Sequence, residues 1–94
     1  MIEKNLKIIN KLGLHARPAS KLVRLASQYE SDVRISYMNN TINAKSIMGL
    51  MMLAVEQGAV INIRVEGEDE EELMKSIEEL VADGFGEDEE MSGR

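Results

Sequence analysis

Apolar and polar positions change their period several times along the chain, and each change marks an element. Over residues 2–9, Ile2, Leu6 and Ile8 share one parity while Asn5 and Lys7 share the other, the alternation of a half-buried strand. From Ala16 the period lengthens. Ala19, Leu22, Val23, Ala26 and Tyr29 recur at helical spacing, with Lys21, Arg24 and Gln28 on the opposite side. Val33, Ile35 and Tyr37 alternate with Arg34 and Ser36 as a second strand. Met38-Asn39-Asn40 reads as a tight turn, because Asn tolerates positive φ, and residues 41–44 read as a short return strand. Ser46 opens a helix over the apolar run IMGLMMLAV, closed by Gln57-Gly58. Residues 60–66 alternate again as a fourth strand, ended by Gly67. Asp69 and Glu72 have the spacing of a capping box. Leu73, Met74, Ile77, Leu80 and Val81 then form the stripe of a last helix, with Gly84 as its C-cap.

The predicted order is βαββαβα, an α/β (α+β) chain whose helices pack on one face of an antiparallel or mixed sheet. A chain of 94 residues makes one small domain, expected over residues 1–84. Residues 85–94, FGEDEEMSGR, are acidic and offer little to bury, so they read as a flexible tail. No internal repeat is visible. Fold alone says little about function, because many unrelated activities share such a sandwich.

Composition narrows the classes. No cysteine is present, which excludes disulfides and thiolate metal sites, and one histidine gives too few ligands for zinc. No metal and no cofactor are expected, and no Walker-type loop is present for a nucleotide. The opening MIEKNLKIIN is too charged for a signal peptide, and no apolar run approaches the roughly 18 residues of a membrane span. The expectation is a soluble, cytoplasmic protein without membrane insertion. The net charge of −6 hides an asymmetry: residues 1–65 carry nine Lys/Arg against four Asp/Glu, and residues 66–94 carry two against thirteen. Lys11, Arg17, Lys21, Arg24 and Lys45 make the first half basic, which suits a phosphate group or an acidic protein partner. Nucleic acid is disfavoured, since the chain has only three aromatic residues and no stacking motif.

The stretch GLHARPAS, residues 13–20, carries the candidate chemistry. It holds the only histidine, His15, and the only proline, Pro18, with Arg17 between them. The strand-to-helix boundary falls here, which puts His15 near the N-cap and Ala16 and Arg17 in the first turn. Pro18 is tolerated there because it removes no intrahelical hydrogen bond, although the residue before a proline disfavours the α region. Histidine is a poor N-cap residue, and local anomalies of this kind often mark functional sites. The N–H groups of a first helical turn and the helix dipole favour an anion, and Arg17 adds a guanidinium that grips phosphate in two places. Both disfavour a protonated ring, and a neutral imidazole nitrogen is a competent nucleophile. The pieces suit a histidine that accepts and releases a phosphoryl group. On the residues alone, a surface or cap histidine remains the alternative.

GLHARPAS resembles the active-site motif of the HPr family, the histidine phosphocarriers of the phosphoenolpyruvate-dependent sugar phosphotransferase system. KSIMGLMMLA, residues 45–54, is similar to that family's regulatory-serine segment, and the element order matches from Met1 to about Gly84. The resemblance implies an open-faced β-sandwich, a four-stranded antiparallel sheet with three helices on one face. It implies that His15 takes a phosphoryl group on Nδ1 from phosphorylated Enzyme I and passes it to the IIA domains of sugar transporters. Arg17 would bind the phosphoryl group. The protein would be a carrier acted on by enzymes, not an enzyme.

Ser46 by itself reads as an N-cap serine. The resemblance adds regulatory phosphorylation by an ATP-dependent HPr kinase/phosphorylase, with the phosphoserine form as co-repressor for a catabolite-control transcription factor. A phosphate is welcome at a helix N-terminus, and its charge would repel acidic partners. A nine-residue helix cannot hide all its sides, so part of Ile47, Met48 and Met51 should be exposed, and Met is adaptable at surfaces that meet several partners. The resemblance places the docking face there, together with Ser20, Lys21 and Arg24. Met52 stands where many relatives carry a smaller polar residue. A reversible carrier is expected to be a monomer. Two other readings stay open: an HPr-like paralogue in a nitrogen-type or catabolite-control phosphorelay without sugar transport, and an interaction module signalling through Ser46 alone.

Overall fold

The computed structural model describes residues 1–87. Four strands, β1 (Ile2–Lys7), β2 (Asp32–Tyr37), β3 (Asn40–Asn43) and β4 (Val60–Glu66), alternate with α1 (Ala16–Ala26), α2 (Ile47–Met52) and α3 (Glu70–Ala82). A 3₁₀ turn, Gly84–Gly86, follows α3. The sheet is antiparallel in the order β1-β4-β2-β3, so the last strand inserts between the first two. Its register pairs Leu6 with Ile61 and Ile35 with Ile63. This agrees with the order and the open-faced sandwich anticipated from the sequence.

Period-two alternation sends Val33, Ile35, Ile61, Ile63 and Val65 to one face, where they are fully buried. Ala19, Leu22 and Ala26 of α1, Leu50 of α2, and Leu73, Met74, Ile77 and Val81 of α3 close over them. Each such Val, Leu or Ile side chain contributes about 1.5–3 kcal/mol of burial. Lys4 falls on the apolar parity of the edge strand β1. Its ammonium reaches α3 and pairs with Glu78 at 3.0 Å, the behaviour of a long charged side chain that covers apolar surface with its stem.

Several local expectations shift. The hairpin turn places positive φ at Met38 (49°) and Asn39 (70°), while Asn40 already belongs to β3. Two consecutive left-handed residues form the turn that matches strand twist, and twist outweighs the cost to Met. Helix α2 has six residues rather than nine, because Leu53 is its C-cap and Ala54 turns to φ 53°. Tyr29 lies beyond α1, with its hydroxyl 3.1 Å from Ser76 Oγ on α3. The Asp69–Glu72 capping box does not form. Asp69 is the N-cap of α3 without a side-chain cap bond, and its carboxylate instead accepts from the backbone N–H groups of Glu30 and Ser31 and from Ser31 Oγ. It ties the α1–β2 loop to the start of α3.

The largest shift is at the C-terminal end. Packing does not stop at Gly84. Phe85, the only phenylalanine, is 1% exposed, and Glu87 is buried. So residues 85–87 of the expected tail belong to the domain; residues 88–94 lie outside the described residues. Among the described residues, no helix is long and apolar enough to cross a membrane, and no group of three His, Cys, Asp or Glu is placed to hold a metal ion.

Candidate functional site

The chain reaches the site through the turn that ends β1. Gly13 N donates to Asn10 O at 3.2 Å, and Leu14 N donates to Val55 O at 3.0 Å. Gly13 has φ +69°, and a Cβ there would overlap the Val55 carbonyl oxygen and lie 2.9 Å from Glu56 Cα. Only glycine lets the two backbones meet, and this contact sets where His15 enters α1.

His15 is the N-cap of α1, with φ −82° and ψ −168° and no side-chain cap bond. Its carbonyl accepts from Ala19 N at 3.0 Å. The first-turn N–H groups therefore point out of the helix end instead of to the His15 side chain. Pro18 is buried in that turn and Arg17 is exposed on it. No acidic residue occupies the first turn itself, so no side chain of that turn offsets the positive end of the helix.

The His15 ring is about one third exposed, 35% for the side chain. Its Nε2 lies 2.6 Å from Glu87 Oε2. The other carboxylate oxygen, Glu87 Oε1, accepts from Asn10 Nδ2 at 2.9 Å. Asn10 is fully buried and also donates to Gly13 O at 2.7 Å. One asparagine thus ties the histidine loop to the carboxylate. Among the described residues no partner hydrogen-bonds His15 Nδ1.

Ser20 and Lys21 are half-buried and Arg24 is exposed. Lys21 Nζ donates to the carbonyl of Phe85 at 2.6 Å, so this lysine is engaged with the C-terminal segment. Lys45 also has a local partner, Tyr29 O at 2.9 Å. Helix α2 packs against α1. Its N-cap Ser46 is exposed, and the Oγ accepts from Gly49 N at 3.1 Å. Ile47, Met48, Met51 and Met52 are all exposed, Met48 and Met52 by more than 70%. Leu12, three residues before His15, is also exposed.

Sequence reasoning singled out His15, Arg17 and Ser46 but passed over Asn10, Phe85 and Glu87. One signal was present. A lone phenylalanine between two glycines, in a stretch otherwise acidic, is an anchor between two positions that permit positive φ.

The fold thus brings together a histidine at a helix N-terminus, an arginine in the same turn and an exposed methionine-rich helix packed beside them. The comparisons agree. The family model described as the phosphotransferase-system HPr component phosphorylation site matches residues 2–83. A phosphocarrier protein HPr from Xylella fastidiosa is 48% identical over 88 residues, 94% of this chain and 99% of that protein. The crystal structure of an HPr from Thermoanaerobacter tengcongensis superposes with a TM-score of 0.88 at 46% identity, covering 92% of this chain and 97% of the other. Crh, the Bacillus subtilis catabolite repression containing protein whose structure is described as a swapped dimer, is 38% identical with a TM-score of 0.66, covering 93% and 95%. The chain belongs to the HPr family of the phosphotransferase system. It is a phosphocarrier and not an enzyme.

Proposed function

We propose that His15 accepts a phosphoryl group on Nδ1 from phosphorylated Enzyme I and passes it to the IIA domains of sugar transporters. The observation that carries this reading is the placement of His15 at the open N-terminus of α1, with Arg17 in the same turn and Nδ1 without a protein partner among the described residues. The first-turn N–H groups and the guanidinium stabilise the phosphoryl oxygens. The attached group stays labile because an imidazole is a good leaving group. Ser20, Lys21 and Arg24 of α1 and Ile47, Met48 and Met51 of α2 form the docking face, which is small and adaptable, as a carrier that must release each partner requires. The protein works in the cytoplasm as a monomer.

Ser46 is the regulatory site in this reading. It is exposed and caps α2. Phosphorylation by an HPr kinase/phosphorylase puts charge beside the docking face, slows exchange with acidic partners and creates the surface read by a catabolite-control transcription factor. The likeness to Crh favours some regulatory role, either beside transport or in a relay without sugar.

The test is incubation with Enzyme I and phosphoenolpyruvate, then mass spectrometry under non-acidic conditions beside a His15→Ala control. An acid-labile phosphate on His15, absent from the control, is the expected result. No phosphate there, with a proven active Enzyme I, overturns the carrier reading and moves the weight to Ser46, which is assayed with the ATP-dependent kinase.

A further inference from the structure

We infer that Glu87 is a positioning residue for His15: its carboxylate accepts the Nε2–H, holds the ring in the tautomer with its lone pair on Nδ1, and offsets the positive charge that builds on the ring during phosphoryl transfer. This rests on the carrier reading of His15 and adds a residue beyond the 2–83 span matched by the family model.

Three independent features build the contact. A carboxylate cannot donate when ionised, so a 2.6 Å contact to Nε2 requires the proton on that nitrogen. A neutral ring then leaves Nδ1 as the acceptor and nucleophile. Second, the carboxylate is held on its far side. Glu87 is only 7% exposed, and Asn10, itself fully buried, donates to its Oε1. A buried carboxylate is costly unless paired, and its hydrogen-bond partners among the described residues are His15 and Asn10. Third, the backbone is shaped to deliver it. Gly84, Phe85 and Gly86 have φ of 62°, 57° and 75°, three successive left-handed residues that reverse the chain after α3. Glycine takes two of these positions without penalty. Phe85 takes the third and is held there by burial and by Lys21 on its carbonyl.

The transfer step balances without a proton. The Nδ1 lone pair forms the N–P bond as the bond from phosphorus to the donor protein breaks, and that electron pair leaves with the donor. Nε2 keeps its hydrogen throughout. The ring becomes cationic while the phosphoryl group sits over the first turn of α1, and the Glu87 carboxylate lies opposite, 2.6 Å from Nε2. A histidine oriented and charge-balanced by a carboxylate on its second nitrogen is a general device. The reverse step, to an acceptor, uses the same pairing.

The experiment compares the wild type, Glu87→Ala and Glu87→Gln by ¹⁵N NMR of the labelled His15 ring and by rapid-quench rates of transfer from phosphorylated Enzyme I. The wild type should show the Nε2–H tautomer. Glu87→Ala should drift to a mixture of tautomers and accept phosphate about tenfold more slowly. Glu87→Gln leaves one acceptor oxygen where His15 Nε2–H and Asn10 Nδ2 both donate, so it should weaken the Nε2–H preference and accept phosphate severalfold more slowly. If the alanine variant does not fold, the glutamine variant carries both measurements. A wild-type ring protonated on Nδ1, an unchanged rate in the variants, or a faster one that makes Glu87 an obstruction overturns the inference. Absence of phosphate on His15 in the wild type overturns the carrier reading instead, and the tautomer signature separates the two failures.

Discussion

Truncating Phe85 to alanine tests whether the C-terminal segment belongs to the core. Phe85 is 1% exposed, and the hydrophobic cluster closes around it. Cutting a buried Phe to Ala costs about 3–5 kcal/mol, from lost transfer energy plus the cavity left behind. The strain at φ 57° does not relax, because alanine meets the same left-handed penalty of about 1–2 kcal/mol. The segment can also peel away without global unfolding, which limits the loss to what the segment itself contributes. The expected value is therefore the lower end, about 3 kcal/mol. For 94 residues the total stability is about 5–14 kcal/mol, so the loss is a large share. It should lower Tm by about 12–24 °C, at about 4–8 °C per kcal/mol for a domain this size. Urea unfolding followed by far-ultraviolet circular dichroism gives the free energy, and a thermal scan gives Tm. The same variant should move the ¹⁵N signature of His15, because Phe85 anchors the turn that carries Glu87. A stability loss below about 0.5 kcal/mol, the range of ordinary surface substitutions, would refute the reasoning and return residues 85–87 to a tail.

Gly13→Ala should cost at least about 2 kcal/mol, since it adds left-handed strain to an overlap with Val55 O. It should also slow phosphoryl acceptance by moving His15, both read by urea unfolding and a phosphorylation time course. Ser46→Ala should cost about 1 kcal/mol through the lost cap to Gly49 N, with acceptance of phosphate at His15 unchanged. Asp69 gives a pH prediction. The Ser31 hydroxyl, then the Glu30 N–H, hold its carboxyl below the ordinary 3.8. A lowered native value stabilises the fold above 3.8 and is lost as pH falls through that lowered value. Asp69→Asn should therefore be less stable than wild type at pH 6, with the gap in Tm closing on acidification toward pH 2. A gap that stays constant with pH would contradict the assignment.

Much of the molecule was legible because it is locally encoded. Element type follows from period, and the periods of residues 2–8, 33–37 and 60–66 were those of strands because one face of each is buried. The N-terminal position of His15 followed from a proline in the next turn, and that of Ser46 from a capping residue before an apolar run. Boundaries slipped where tertiary twist outvoted propensity, as at Met38, or where a cap ended α2 early.

What the tertiary structure decided concerns partners far apart in the chain. No local pattern tells β4 to insert between β1 and β2. That follows from which apolar faces must share one core. Asp69 reads as half of a capping box, yet its carboxylate accepts from the 30–31 loop, which tertiary packing brings beside it. His15 and Glu87 stand 72 residues apart. Sequence by itself determined a histidine ring at a helix N-terminus, since that depends on neighbours within one turn. Only the folded chain determined which nitrogen of that ring faces a carboxylate, since this depends on three left-handed residues and a buried phenylalanine reversing the backbone.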